Sequence, residues 1–173
     1  MRTINLCFAS LPLLAGGWTE PAVVRHDLKP VVSYRAAHGN GALIVEVSLE
    51  PGWHTFSMDN EVLAAEKLAG KKSLGLDQPT AISLSDGLEP DGGWTQSAPK
   101  DFSRPELRWY AWGFENKAYF SVKTKKTGAG PAKASIRAQA CTDTVCKNID
   151  LAIPIPLDGK PAPAIPALTP VRR

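Results

Sequence analysis

AKASIRAQACTDTVCKNIDLAIPIPL, residues 132–157, alternates small apolar and polar side chains on either side of a short segment bounded by two cysteines. A period of two marks a strand with one face buried. Ala132, Ala134, Ile136, Ala138 and Ala140 share one face, and Lys133, Ser135, Arg137 and Gln139 the other. Ile149, Leu151, Ile153 and Ile155 repeat the apolar face after the cysteines. Strands are therefore expected over 132–140 and 149–156, joined as a hairpin. Pro154 and Pro156 lie on the opposite side of the second strand and lack amide donors, which marks it as an edge.

The same alternation recurs upstream. In ALIVEVSLEPGW, Leu43, Val45, Val47 and Leu49 face one way before the turn signal Pro51-Gly52. In KAYFSVKTK, Ala118, Phe120, Val122 and Thr124 point inward. Further strands are expected at 31–37, 53–58, 80–84 and 107–112. DNEVLAAEKLAGKK breaks the pattern: its Ala, Leu, Glu and Lys content, with Asp59 or Asn60 as N-cap and Gly70 as stop, reads as one short helix inserted between strands. About eight short strands with regular turn signals make an all-β chain, an immunoglobulin-like antiparallel β-sandwich.

With 173 residues, 43% of them hydrophobic, the chain can bury one domain's core. The organisation expected is a leader over 1–17, a polar entry segment over 18–29, the sandwich over 30–157, and a Pro-rich tail over 158–173. The leader has an Arg, an apolar run from Ile4 to Leu14 broken by Asn5 and Pro12, and then small residues, the order of a secretory signal peptide. It is too short to cross a bilayer, as is every other apolar run, so the mature chain is expected to be periplasmic or secreted, with no transmembrane segment. The net charge is +3 and the basic residues are scattered apart from Lys123, Lys125 and Lys126, which reads as a solvated face rather than a nucleic-acid or membrane surface.

Export would remove Cys7 and leave Cys141 and Cys146. Three readings of this pair compete. As a structural clasp it would close so small a loop that the chain-entropy gain is only about 2 kcal/mol. A metal site with His26, His38 or His54 lacks the paired ligand spacing of structural zinc. A redox couple needs one sulfur open to in-line attack and a second close enough to resolve the mixed disulfide. Cys141 continues the outward series of its strand, which argues against a core cysteine and for an accessible pair. Asp143 would oppose thiolate formation and Lys147 would favour it. Spacing alone leaves the clasp and the redox couple level.

LEPGWHTFSMD, GGWTQSAPKDF, WYAWGFENKAYFSV and IRAQACTDTVCKNIDLAIPI follow one another in an order that resembles the N-terminal periplasmic domain of the thiol:disulfide interchange protein DsbD, over roughly residues 30–157. The resemblance implies an immunoglobulin-like fold and dithiol-disulfide exchange through Cys141 and Cys146 without a bound cofactor. It also implies that the pair receives electrons from a thioredoxin-like domain and passes them to periplasmic partners that are also thioredoxin-like, with a membrane electron transporter as a further expected partner. It casts Phe102 as a cap over the pair, Asp101 as the cap's acidic neighbour, and His54 and Phe56 as supporting residues. The enterobacterial form of the family has a longer cysteine spacing and a Pro-Pro pair where Lys147-Asn148 stands here. The rival reading is a binding module with an inert local disulfide, using Trp94, Trp109, Tyr110 and Trp112 to grip its ligand.

Overall fold

The computed structural model describes residues 17–72, 77–128 and 132–173; the expected leader, with Cys7, lies outside them apart from Gly17. Strands β1 to β4 span Ala22–His26, Lys29–Gly39, Ala42–Leu49 and His54–Phe56, and helix α1 spans Asn60–Leu68. Strands β5 to β8 cover Ala81–Ser85, Leu88–Pro90, Thr95–Gln96 and Lys100–Asp101. After a 3-10 turn at Pro105–Leu107 come β9 (Trp112–Glu115), β10 (Lys117–Lys126), β11 (Ala132–Cys141), β12 (Cys146–Ile155) and β13 (Thr169–Pro170).

Among the described residues these strands form two antiparallel sheets. One runs β1-β2-β3-β10-β7-β13, with β6 also on β10; the other runs β12-β11-β4-β9-β8, with β5 also on β11. The expected all-β sandwich with one short helix is the fold found. Its core lies between the apolar faces read from the alternation: Leu43, Val45, Val47 and Phe120 from one sheet, Ile136, Ile149, Ile153 and Ile155 from the other. Phe114 of β9 meets Phe120 edge-on across the layers at 5.6 Å. Each large side chain so enclosed contributes about 1.5–3 kcal/mol relative to exposure. Strand β12 lies at a sheet edge, as its prolines require.

Three expectations change. Residues 107–112 are not a strand: Pro105–Leu107 form a 3-10 turn, Arg108 takes a left-handed φ of 50°, and β9 begins only at Trp112. The segment 18–29 is more than an entry, since β1 pairs with β2 and Trp18 bridges Ala37.

The Pro-rich 158–173 is not a tail beyond the fold. Residues 160–162 press so closely on β2 that a Cβ at Gly39 would lie 2.4 Å from both the Ala162 amide nitrogen and the Lys160 carbonyl oxygen. Strand β13 then adds to β7. Beyond it the Arg172 amide donates to Asp59 Oδ2 at 3.1 Å, and its guanidinium pairs with Glu66 of α1. This strap explains why Asp59, at the N-cap position, makes no side-chain cap of α1. Its carboxylate instead accepts from Arg172 N and, at 2.7 Å, from the buried Gln96 Nε2.

Candidate functional site

The β11–β12 ladder runs from Ala132 opposite Ile155 to Cys141 opposite Cys146. The two cysteines are thus a cross-strand pair at the end of the hairpin, joined as a disulfide with Cα atoms 4.0 Å apart. Such closeness belongs to the narrow, non-hydrogen-bonded pairs of an antiparallel ladder. The turn beyond them contains neither glycine nor proline, because Thr142 closes it. Its amide donates to Val145 O at 2.8 Å, and its Oγ1 accepts from the amides of Thr144 (3.2 Å) and Val145 (3.1 Å). A hydroxyl that satisfies turn amides in this way replaces the usual glycine.

Cys141 faces outward from the sandwich, as its parity requires, yet it is only 3% exposed. The expectation of an accessible Cys141 is therefore corrected: a second small apolar cluster of Phe56 and Ala111, with Phe102 and Trp109 against it, covers the sulfur on the outer face. Cys146, across the ladder, is exposed. Strand β4 supplies part of the cover because it pairs with the end of β11, Thr55 opposite Ala140 and His54 opposite Cys141. The period of two turns Thr55 into the core, where its Oγ1 donates to Gln139 O at 2.8 Å, and turns His54 and Phe56 toward the disulfide.

The other cover is a hairpin. Beyond the β8–β9 pairing, the Phe102 amide donates to Ala111 O at 2.8 Å and the Arg104 amide to Trp109 O at 2.7 Å, so the ladder continues to the 3-10 turn at its tip. At its base Gly113 is the residue that lets β9 approach β4: a Cβ there would lie 1.9 Å from Thr55 O. Phe102 stacks on His54 with ring centroids 5.1 Å apart, and His54 meets Phe56 edge-on at 5.5 Å. Arg104 lies over the Trp109 ring and reaches Asp143 in the cysteine turn at 2.9 Å, tying the covering hairpin to the cysteine hairpin. Asp101 lies apart from this contact: it is exposed, and its Oδ1 accepts from the Ser103 amide at 2.8 Å, shaping the chain just after Phe102.

The disulfide, His54, Asp77, Arg104 and Trp109 line one cavity of about 380 Å³. Asp77 escaped the sequence reading. Its Oδ1 accepts from Trp109 Nε1 and its Oδ2 from Asn60 Nδ2 at 3.2 Å, while Asn60 Oδ1 accepts from the Trp112 amide at 2.7 Å. Trp109 and Trp112, which bound the cap's returning segment, are thereby both anchored to α1. Of the aromatics in the binding-module reading, Trp109 belongs to this site, whereas Trp94 packs on the main core. His26 sits against Trp53 on β1, and His38 on β2 bonds Thr124 at 3.0 Å, so neither joins the cysteines. Burial holds the His54 imidazole below its ordinary 6.5, against the pull of Glu115, Asp143 and Asp77 and with the push of Arg104, so the ring is neutral at pH 7.

No protein-family model matches the chain, and no curated protein matches it. Solved structures do. The N-terminal periplasmic domain of ScsB from Proteus mirabilis aligns over 87% of this chain with a TM-score of 0.55 and 17% identity. This chain spans 55% of that ScsB structure. The N-terminal domain of DsbD from Neisseria meningitidis, in its reduced form, aligns over 80% of this chain and 97% of its own length, with a TM-score of 0.53 and 16% identity. Among the described residues no helix is long and apolar enough to cross a membrane. The two matched structures and the two-sheet topology together establish the fold: the chain shares the fold of the DsbD and ScsB N-terminal domains.

Proposed function

We propose that the chain is an exported thiol-disulfide exchange domain that passes electrons through Cys141 and Cys146 to or from a thioredoxin-like partner. The observation that carries this reading is the asymmetry of the pair: the disulfide lies on the outer face of the sheet at the edge of a cavity, with Cys146 exposed and Cys141 covered. A clasp has no use for such an arrangement. In-line exchange does, because the partner's thiolate attacks the open Cys146 sulfur while Cys141 leaves under the cap. The electron pair of the broken bond stays on Cys141, and the partner's second thiolate then releases Cys146, so the pair ends reduced and the partner oxidised. Run onward, Cys146 attacks the disulfide of a second partner and Cys141 resolves the mixed disulfide. The sulfurs carry the electrons themselves, so the reaction calls for no cofactor.

Phe102, with Phe56, acts in this reading as the cover that keeps Cys141 from solvent, and Asp101 as the residue that shapes the loop after it. The two matched structures support the exchange reading: one is a periplasmic domain, and the other was solved in a reduced form. A membrane electron transporter is the proposed source of reducing equivalents. The test is equilibration with a thioredoxin or with glutathione, followed by capture on the Cys141→Ala variant, whose Cys146 is left to hold a mixed disulfide. Exchange within minutes and a trapped thioredoxin-like protein are expected. A reduction potential well below about −300 mV with no exchange would mark an inert clasp and overturn the reading.

A further inference from the structure

His54 carries an unanswered polar atom. Its Nε2 is buried with no hydrogen-bond partner among the described residues. Buried polar atoms are nearly always satisfied, so an orphan beside a reactive centre asks what group would satisfy it in another state. The ring is fixed by its stack on Phe102 and its edge contact with Phe56. It projects from the residue directly opposite Cys141, a relation that sets the two Cβ atoms about 4.5–5.5 Å apart on one face. The neighbouring charges are already engaged. Glu115, opposite His54 on β9, bonds Lys100 at 2.8 Å; Asp143 bonds Arg104 at 2.9 Å; Asp77 holds Trp109 and Asn60. While the disulfide is intact, Cys141 has no proton to offer; once the bond is cleaved, it becomes a thiol on the same face.

We propose that His54 is the general base for Cys141 when that residue resolves a mixed disulfide, a role that rests on the exchange reading above. Nε2 takes the proton from the Cys141 thiol, and the resulting thiolate attacks the Cys146 sulfur. The Cys141–Cys146 bond forms, the bond from Cys146 to the partner breaks, and the partner leaves as a thiolate carrying the electron pair. The imidazolium then returns its proton to that thiolate or to water. In the reverse direction the same imidazolium protonates Cys141 as it leaves. Burial keeps the ring neutral at pH 7 and so able to accept.

The test uses the reduced chain carrying Cys7→Ser, so that Cys141 and Cys146 are its only thiols, and an aromatic disulfide, 5,5′-dithiobis(2-nitrobenzoate), in stopped flow. The first thionitrobenzoate released reports attack by Cys146, and the second reports resolution by Cys141. His54→Phe preserves the aromatic stack and removes the nitrogens; His54→Gln keeps a polar group without a base and serves if the first variant folds poorly. Second-phase release is expected to slow at least about tenfold at pH 7 in either variant. The wild-type rate should fall as the imidazole protonates below pH 6.5, whereas the variants should follow only the thiol, rising about tenfold per pH unit. Wild-type rates and pH profile in both variants would overturn the assignment. Because the probe is a small molecule, failure of the wild type to exchange with thioredoxin would remove the exchange reading while leaving a measured His54 effect intact.

Discussion

Replacing Gly113 with alanine puts a methyl group where the backbone leaves no room. The new Cβ would lie 1.9 Å from Thr55 O, 2.9 Å from Thr55 C and 3.1 Å from Phe56 Cα, all backbone atoms of β4. A carbon-to-oxygen contact needs about 3.3 Å, so β4 and β9 must part by roughly 1.4 Å. Overpacking of this kind costs about 1–3 kcal/mol, and each ladder bond lost adds about 0.5–1.5 kcal/mol. A total of about 3–4 kcal/mol lowers the melting temperature of a chain this size by roughly 6–16 °C. The control is Gly93→Ala, because Gly93 lies outside the left-handed region and the nearest atom to its Cβ would be Arg173 Nη2 at 3.9 Å. Calorimetry of the two variants decides the matter. A Gly113→Ala midpoint within about 2 °C of Gly93→Ala would refute the claim that this contact holds the His54 strand against the cap hairpin.

Reducing the disulfide should lower stability by only about 2 kcal/mol, or roughly 4–8 °C, because the ladder already holds the two cysteines together. Far-UV circular dichroism should be unchanged, and loss of the sheet signal would refute this. Asp143→Asn breaks an ion pair whose side chains are 48% and 82% exposed, so global unfolding should shift by less than about 1 kcal/mol. Amide exchange at Phe102 and Arg104 should quicken about two- to fivefold at low salt, and a change above tenfold would mean the pair does more than tie the cap down. His38 and His54 are both held below their ordinary 6.5 by burial, so the unfolded chain takes up protons first as pH falls through 6.5. Urea unfolding should therefore show stability that is full above pH 6.5 and declines on acidification toward the folded values, with a shallower decline in His54→Phe; constant stability between about pH 7.5 and 5.5 would contradict it.

The long strands were legible because each buries one face and leaves the other to solvent, which writes the sheet into residues such as Leu43, Val45 and Val47. The helix was legible from composition, although its end is set by Ala69 at a φ of 48° just before Gly70. The cap hairpin was not. Its tip turns through Pro105 and a left-handed Arg108 with no glycine to announce it, and its cross-chain bonds join residues that look like loop. Asp77 was equally silent, an acid in a polar stretch whose partners lie 32 and 17 residues away. The strap misled for a different reason: proline predicts the absence of ladder donors, yet the strap needs few, because β13 is two residues long. Cys141 shows the limit most plainly, since parity named its face correctly and only the distant cap decided its exposure.

The placement of the cysteines opposite one another at the hairpin's end has a kinetic consequence. Two thiols held on facing strands do not search for each other, and reacting groups so oriented behave as though present at effective molarities far above any thiol concentration in solution. If exchange runs as proposed, a mixed disulfide at Cys146 collapses intramolecularly before a second thiol molecule arrives. The hairpin thus limits how long any partner, right or wrong, stays attached. The domain would let go of adventitious thiols as readily as of its substrate, and its selectivity would rest on which partner reaches Cys146 rather than on how long that partner is held.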